Sequence, residues 1–373
     1  MIYYSIFAFS SFFIFLASLF QKKNKFLKIC FILVAIIILA AFAGLRDYSI
    51  GTDTTNYNNY YNYAQMSKNL YTYCQSMHVL FGIEYGFSIL NYIVALTHLS
   101  VHWFYFICEF IIGANIAFVL FSISERIDVI YGWLTYCFIF YTLSFNILRQ
   151  TFALSIILIA IVEICKNNNI KSLILIFLAY TFHSASLIAL LIFAFGTMLM
   201  RLENKDQIIA LIIATVLISI LLPTIFKNFG TLGVFGDKYS QYFGQQYVGQ
   251  QTVQSVSTTL AIRLPMILLI IYNLIANREC IDHGSLFIYV LVIIEAIILP
   301  FQLISPAMGR IVLYFGISKI IGYPLALKQL KMNTTTSILI KILFIIFLIL
   351  LFYNQVMVNN NNMIYPYIIS NDF

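Results

Sequence analysis

The feature that most constrains this chain is the recurrence of apolar blocks close to 20 residues long, separated by short polar joints. About 20 apolar residues carry a helix across the ~30 Å hydrocarbon core of a bilayer, where every backbone group must be satisfied internally. Nothing shows the ten-residue alternation of a membrane barrel. Composition agrees, with 62% hydrophobic and 9% charged residues, against roughly 25% charged in soluble domains. The first block, 1–20, has no positive region before it and no small-residue cleavage pattern after it, so it reads as a retained span. The expectation is an all-α, polytopic integral membrane protein forming one membrane domain over residues 1–373.

About twelve spans are expected, near 1–20, 26–45, 102–122, 129–147, 151–165, 172–182, 185–200, 207–227, 258–276, 284–303, 308–327 and 336–353, with 11 to 14 as the range. Residues 85–99, interrupted by Asn91, Thr97 and His98, read as a re-entrant or surface helix. Residues 172–200 divide at His183 or form one long tilted helix. Lys22, Lys23, Lys25 and Lys28, Lys166 with Lys171, Arg201 with Lys205, Arg278, and Lys328 with Lys331 place their joints in the cytoplasm. The outer face then carries a polar loop with a short helix at 46–84, the Arg149 and His183 turns, a second loop at 228–257 and the turn before Arg310. The Asn-rich end, 354–373, reads as a loosely ordered tail.

The six cysteines are scattered singly and suggest neither disulfides nor a metal site, and Cys74 alone is expected in an aqueous loop. The net charge of +7 is spread over the joints, so it reads as a topology signal and excludes nucleic acid as a partner. No phosphate-binding glycine loop, dinucleotide fingerprint, D-x-D pair or Ser-His-Asp pattern is present, and no cofactor or metal is expected.

Several polar constellations interrupt the apolar pattern. "LRDYSIGTDTTNYNNYYNYAQ" (45–65) opens with Arg46, whose fork suits a phosphate or anchors a helix end. In the same stretch Gly51 is free to take positive φ, and Asp53 or Thr54 can cap the next helix. Tyr57 and its neighbours form either an interfacial belt or a platform for sugar rings. Arg149 and Gln150 in "NILRQTFALS" would cost about 2.5–3.5 kcal/mol for the charge at the bilayer centre, unless they face water or the interface. His183 in "YTFHSASLIAL" is either a base or a helix-packing hydrogen-bonder. In "SPAMGRIVLYF", Pro306 and Gly309 break the chain before Arg310, as at a helix start aimed at an anion, or in an ordinary loop. Glu109, Glu163 and Glu295 mark an ion path or are absorbed by helix packing and snorkelling.

Taken in order, "GLRDYSIGTDTTNY", "EYGFSIL" opened by Glu84, "LRQTFALSI", "FHSASLIAL" and "GRIVLYF" resemble the EpsG family, the Wzy-like polymerases of bacterial exopolysaccharide and O-antigen. Thr54 departs from the pattern, standing where an aromatic residue follows the aspartate. The resemblance covers most of the chain. It implies a membrane glycosyltransferase in the bacterial cytoplasmic membrane that joins repeat units carried on undecaprenyl pyrophosphate, at the outer leaflet, into exopolysaccharide, capsule or O-antigen. Its implied partners are the lipid-linked glycan, membrane lipid and other polysaccharide assembly proteins. In that reading Arg46, Arg149 and Arg310 stabilise the leaving pyrophosphate, with Gln150 and Tyr57 also binding substrate, and Asp53, Glu84 or His183 serves as general base. Three alternatives stand beside it: a flippase or transporter of the same lipid-linked glycan, an acyltransferase with His183 as base, and a structural scaffold.

Overall fold

A computed structural model describes residues 2–231, 253–303 and 306–371, and these are helical almost throughout. In chain order the helices are α1 (Ile2–Leu19), α2 (Lys25–Gly44), α3 (Thr54–Met66), α4 (Leu70–Phe81), α5 (Tyr85–Ala95), α6 (Val101–Ser122), α7 (Val129–Thr135), α8 (Leu148–Cys165), α9 (Asn169–Tyr180), α10 (Ala189–Leu199), α11 (Lys205–Thr231), α12 (Val253–Ala276), α13 (His283–Ile298), α14 (Pro306–Gly316), α15 (Lys319–Lys328) and α16 (Thr334–Phe352). Local chemistry sets many of their ends. The side chains of Asn24, Asn69, Asp282 and Asn333 each accept a hydrogen bond from a backbone N–H in the first turn of α2, α4, α13 and α16. Gly82, at φ +60°, closes α4 with a left-handed cap.

Among the described residues eight helical segments are long and apolar enough to span a bilayer, not about twelve. The chain is a multi-pass membrane protein on that ground. The expected span at 129–147 fails because α7 passes into a π-helix at Tyr136–Phe140 and a 3-10 helix at Tyr141–Phe145. The expected spans at 172–182 and 185–200 are short helices, α9 and α10, parted by a 3-10 turn at Ser184–Ile188. At 1.5 Å per residue neither reaches across ~30 Å. The stretch therefore divides next to His183. α5 is only 11 residues long, too short to cross the hydrocarbon core as a straight helix. The expected second outer loop, 228–257, falls mostly outside the described residues, and its edges are the ends of α11 and α12.

The chain packs as two compact units. The first comprises 1–155, 181–183 and 332–373, and the second 156–180 and 184–331. In the first unit α1, α2 and α6 lie side by side. The Ser10 hydroxyl donates to Ala35 O at 2.9 Å and accepts from the Trp133 indole at 3.0 Å, and Gly113 lets α6 approach Ile36. Phe9, Phe12 and Phe15 on α1, and Leu339, Leu343 and Leu350 on α16, remain exposed, as lipid-facing side chains are. The polar stretch after α2 folds into two helices, α3 and α4, joined by Tyr73 Oη to Tyr60 O (3.1 Å), and α3 packs on α5 through Tyr61 Oη to Val94 O (3.3 Å). Cys74, expected in an aqueous loop, is instead buried on the inner face of α4, because that helix is amphipathic and the cysteine falls beside Tyr73 and Met77. The tail is not loose either. Residues 353–371 form a π-helix, a 3-10 turn and an extended run bonded to the loop after α2.

In the second unit Asn273 donates to Ala326 O at 2.8 Å, Tyr289 donates to Gln329 at 2.8 Å, and Gly322 lets α15 close on Val292 and Ile288 of α13. Glu163 organises the α8–α9 turn by accepting from Lys166 (3.3 Å), Lys171 (3.3 Å) and Asn168 (2.8 Å). Those bonds give Glu163 a packing role in the turn.

Candidate active site

The first unit draws four separated polar segments together. After α2, Asp47 accepts from the backbone N–H and hydroxyl of Ser49 at 2.9 and 2.6 Å, a tight turn that holds its carboxyl below the usual carboxylate range. Gly51 follows at φ +97°, where a Cβ would stand 2.5 Å from Phe145 O, so only glycine fits. Thr52 then donates to the Asn146 amide oxygen from its backbone N–H (2.5 Å) and its hydroxyl (2.9 Å). Tyr57 Oη donates to Asn146 O at 3.0 Å. The loop that ends at Asp53 is thereby fastened to the turn just before Arg149.

Arg149 lies in the first turn of α8 and donates to the Glu84 carboxylate, 65 residues earlier, at the N-terminus of α5. Their side chains are 15% and 14% exposed, so the pair is partly open. Asp53 occupies the N-cap position of α3, but its side chain makes no capping bond. Tyr60, one helical turn further on than Tyr57, lies within the field of both charges. Burial pushes its phenol up, Arg149 pulls it down and Asp53 pushes it up. Behind this patch the Gly86 N–H donates to Thr181 O at 2.8 Å, a contact so close that a Cβ on residue 86 would meet the Thr181 hydroxyl at 2.3 Å. Phe152 stacks on Phe182 with centroids 4.3 Å apart. These contacts bring His183 into the same unit as a buried side chain.

Arg46, Asp53, Tyr57, Glu84, Arg149, Gln150 and His183 thus all lie in the first unit, but at different depths. Glu84, Arg149 and Asp53 are partly open, whereas Tyr57, Gln150 and His183 are buried. Arg46 is 1% exposed. Its guanidinium lies between the rings of Tyr105 and Phe145 (3.8 and 4.6 Å to the centroids), and Nη1 donates to Ala43 O at 2.8 Å. Arg310 is half-buried in the second unit, inside α14, where Gly309 continues the helix and packs against Gln302.

The sequence reading missed Asn146, an ordinary polar residue with no periodic signal, and took Tyr60 only as one of the tyrosines around Tyr57. It also missed a cluster in the second unit. There the Glu295 carboxylate accepts from Arg263 at 2.8 to 3.1 Å and from Lys319 at 2.7 Å, with side-chain exposures of 2%, 19% and 5%. Among the described residues no three or more His, Cys, Asp or Glu side chains are grouped to hold a metal ion.

Chemically, the patch in the first unit offers one guanidinium fork, two carboxylates and a phenol at the edge of a polar helical cap. That set can bind an oxyanion and accept a proton from a hydroxyl. The family model described as the EpsG family matches residues 28–369. No curated protein and no solved structure matches the chain.

Proposed function

The chain belongs to the EpsG family, of multi-pass membrane proteins of the polysaccharide-polymerase type, and from that premise we propose that it joins lipid-linked oligosaccharide repeat units into a polymer at the outer face of the bacterial cytoplasmic membrane. The observation that carries the reading is the partly open Glu84–Arg149 pair beside Asp53 and Tyr60, on a polar cap next to lipid-facing helices. An amphiphilic substrate needs that combination, with its carrier in the bilayer and its phosphates and sugars at the surface.

In the proposed reaction an acceptor sugar hydroxyl attacks the anomeric carbon of the carrier-linked chain. The new C–O bond forms as the bond to pyrophosphate breaks, and the hydroxyl proton passes to a carboxylate. Arg149 receives the negative charge growing on the leaving oxygens. Asp53 is favoured as base over Glu84, whose carboxylate Arg149 engages, and over the buried His183. Glu84 aims Arg149. Tyr60, rather than the buried Tyr57, offers the ring for a sugar, and Gln150 supports the α8 start from inside. Arg46 stiffens the loop from within, and Arg310, half-buried in the second unit, is kept as a candidate phosphate-binding residue by the chemistry of its guanidinium alone. Pyrophosphate is neutralised by arginine in this scheme, so activity is expected to survive EDTA.

A translocase of the same glycan lipid is the second reading, favoured by the Arg263–Glu295–Lys319 cluster within apolar helices, since buried membrane charges often line a substrate path. Reconstitution with a defined lipid-linked repeat decides between them. Longer lipid-linked products establish the polymerase, a change of sidedness alone establishes the translocase, and neither overturns both.

A further inference from the structure

The residues after α16 do something the reaction scheme leaves unused. Ser370 N–H donates to Leu45 O at 2.9 Å, Asp47 N–H donates to Ile368 O at 2.9 Å, and Arg46 pairs with Ile369 in an antiparallel bridge. Gly51 N–H donates to Met363 O at 3.0 Å. The backbone groups of the site loop that flank Arg46 and lead to Asp53 are therefore satisfied by the far end of the chain. Left alone, each would turn to water and the loop would lose its single conformation.

The run is itself anchored below. Tyr367 stacks on Phe42 at the end of α2 with centroids 3.9 Å apart and planes 15° apart, and its hydroxyl donates to Phe42 O at 2.5 Å. Tyr3 Oη donates to Ile364 O at 2.6 Å. A terminus held only by apolar burial would turn its greasy side chains inward. Here Met363, Tyr365, Ile368 and Ile369 stay 41 to 64% exposed, and the backbone makes the bonds.

We propose that residues 353–371 are a positioning strap for the site loop, anchored by Tyr367, so that Asp53 and the Arg46 framework hold their geometry only while the strap is docked. The proposal rests on the reading of the first unit as catalytic. A displacement of about 1 Å at a reacting group can cost on the order of 10²-fold in rate, so a strap that fixes a loop to that tolerance acts on turnover rather than on substrate affinity.

The test uses the full chain with Cys280, the exposed cysteine, changed to serine and a spin label at Thr55→Cys, an exposed site on the first turn of α3. Three changes are compared in lipid: Tyr367→Ala, Tyr367→Phe, and removal of residues 360–373. Tyr367→Ala and the truncation are expected to turn an immobilised label spectrum into a mobile one and to lower kcat for polymer formation on the order of 10²-fold with KM little changed. Tyr367→Phe keeps the stack on Phe42 and is expected to restore both. An immobilised label in Tyr367→Ala and the truncation overturns the strap, and so does a mobile label with unchanged kcat. If the truncated chain fails to accumulate, Tyr367→Ala carries the test alone. A parent protein that makes no polymer overturns the polymerase reading, while the label spectra still decide the strap.

Discussion

The two units each pair arginine with glutamate, and the pairs differ most in the exposure of the carboxylate. In the first unit the Arg149 guanidinium meets the Glu84 carboxylate near the polar cap, both about one-seventh exposed, with Asp53 and Arg149 both acting on Tyr60. In the second, two cations share the single carboxylate of Glu295, which is 2% exposed and packed against Gly316. Some water reaches both members of the first pair, and on the proposed reading a phosphate takes over the arginine there. In the triad Arg263 is 19% exposed, but Glu295 and Lys319 are only 2% and 5% exposed, so removing the carboxylate leaves unbalanced charge in a low dielectric. On the proposed reading, the arginine–carboxylate contact of the first unit serves chemistry and that of the second serves architecture.

The largest effect expected from that contrast is on folding. Glu295→Gln leaves Arg263 and Lys319 facing each other without a carboxylate, and loss of one partner from a buried charge set costs about 3–5 kcal/mol. Thermal denaturation of the detergent-purified protein should show a strongly lowered midpoint, together with reduced membrane levels. Glu84→Gln, in the open pair, should leave the midpoint nearly unchanged. Equal midpoints for the two variants would remove the distinction and make the triad an exchangeable site, as the translocase reading requires.

The converse holds for activity. Arg149→Lys keeps the charge and loses the planar fork, so polymer formation should fall about 10²- to 10³-fold at normal protein levels, with carriers bearing one repeat unit accumulating. Arg310→Lys should show the same pattern if it holds a second phosphate. A normal polymer length distribution in both variants would reduce the two arginines to helix anchors.

Much of this organisation is legible in sequence, and the losses have physical causes. α1 and α2 are legible because uniform apolarity over a bilayer's thickness leaves a helix no alternative. The break beside His183 is legible because a histidine and serines interrupt an apolar run. The π and 3-10 turns at 136–145 are not, since "YCFIFYTLSF" is mostly apolar and aromatic and the distortion goes with long-range bonds, Tyr136 to Glu109 and Tyr141 to Leu39 O. In the site, Arg149 stands out as a charge among hydrocarbons, but its partner 65 residues away does not. Arg263 and Lys319 carry the same isolated-charge signal as Glu295, and only their convergence is hidden. The tail reads as loose because asparagine-rich composition says nothing of backbone bonds to a loop some 320 residues earlier.

Thiol chemistry sharpens the contrast at a smaller scale. Cys280, exposed in the second unit, should react with a maleimide at least about tenfold faster than Cys74 in the native protein, because burial both hides the Cys74 thiol and pushes it up. Comparable rates would mean that the α3–α5 cap opens. With Cys280→Ser as background, Tyr71→Cys on the exposed face of α4 should label from outside intact cells, and Asn168→Cys only after permeabilisation. Reaction of residue 168 from outside would invert the proposed topology.

The smallest effect is local to Asp47. Its two bonds from Ser49 hold the carboxyl below its ordinary value, so they support the loop fully above the unfolded carboxylate pKa of about 3.9 and fade as pH falls through the lower folded value. Ser49→Ala removes the hydroxyl bond and keeps the backbone one. The folded pKa should then move up towards the ordinary value, with a stability loss below about 1 kcal/mol because the turn is solvent-exposed. A label at Thr55 should therefore show the loop loosening at a higher pH in Ser49→Ala than in the parent, with identical spectra near neutrality, where both carboxylates are ionised. Loosening in the parent first would reverse the sign and detach Asp47 from loop order.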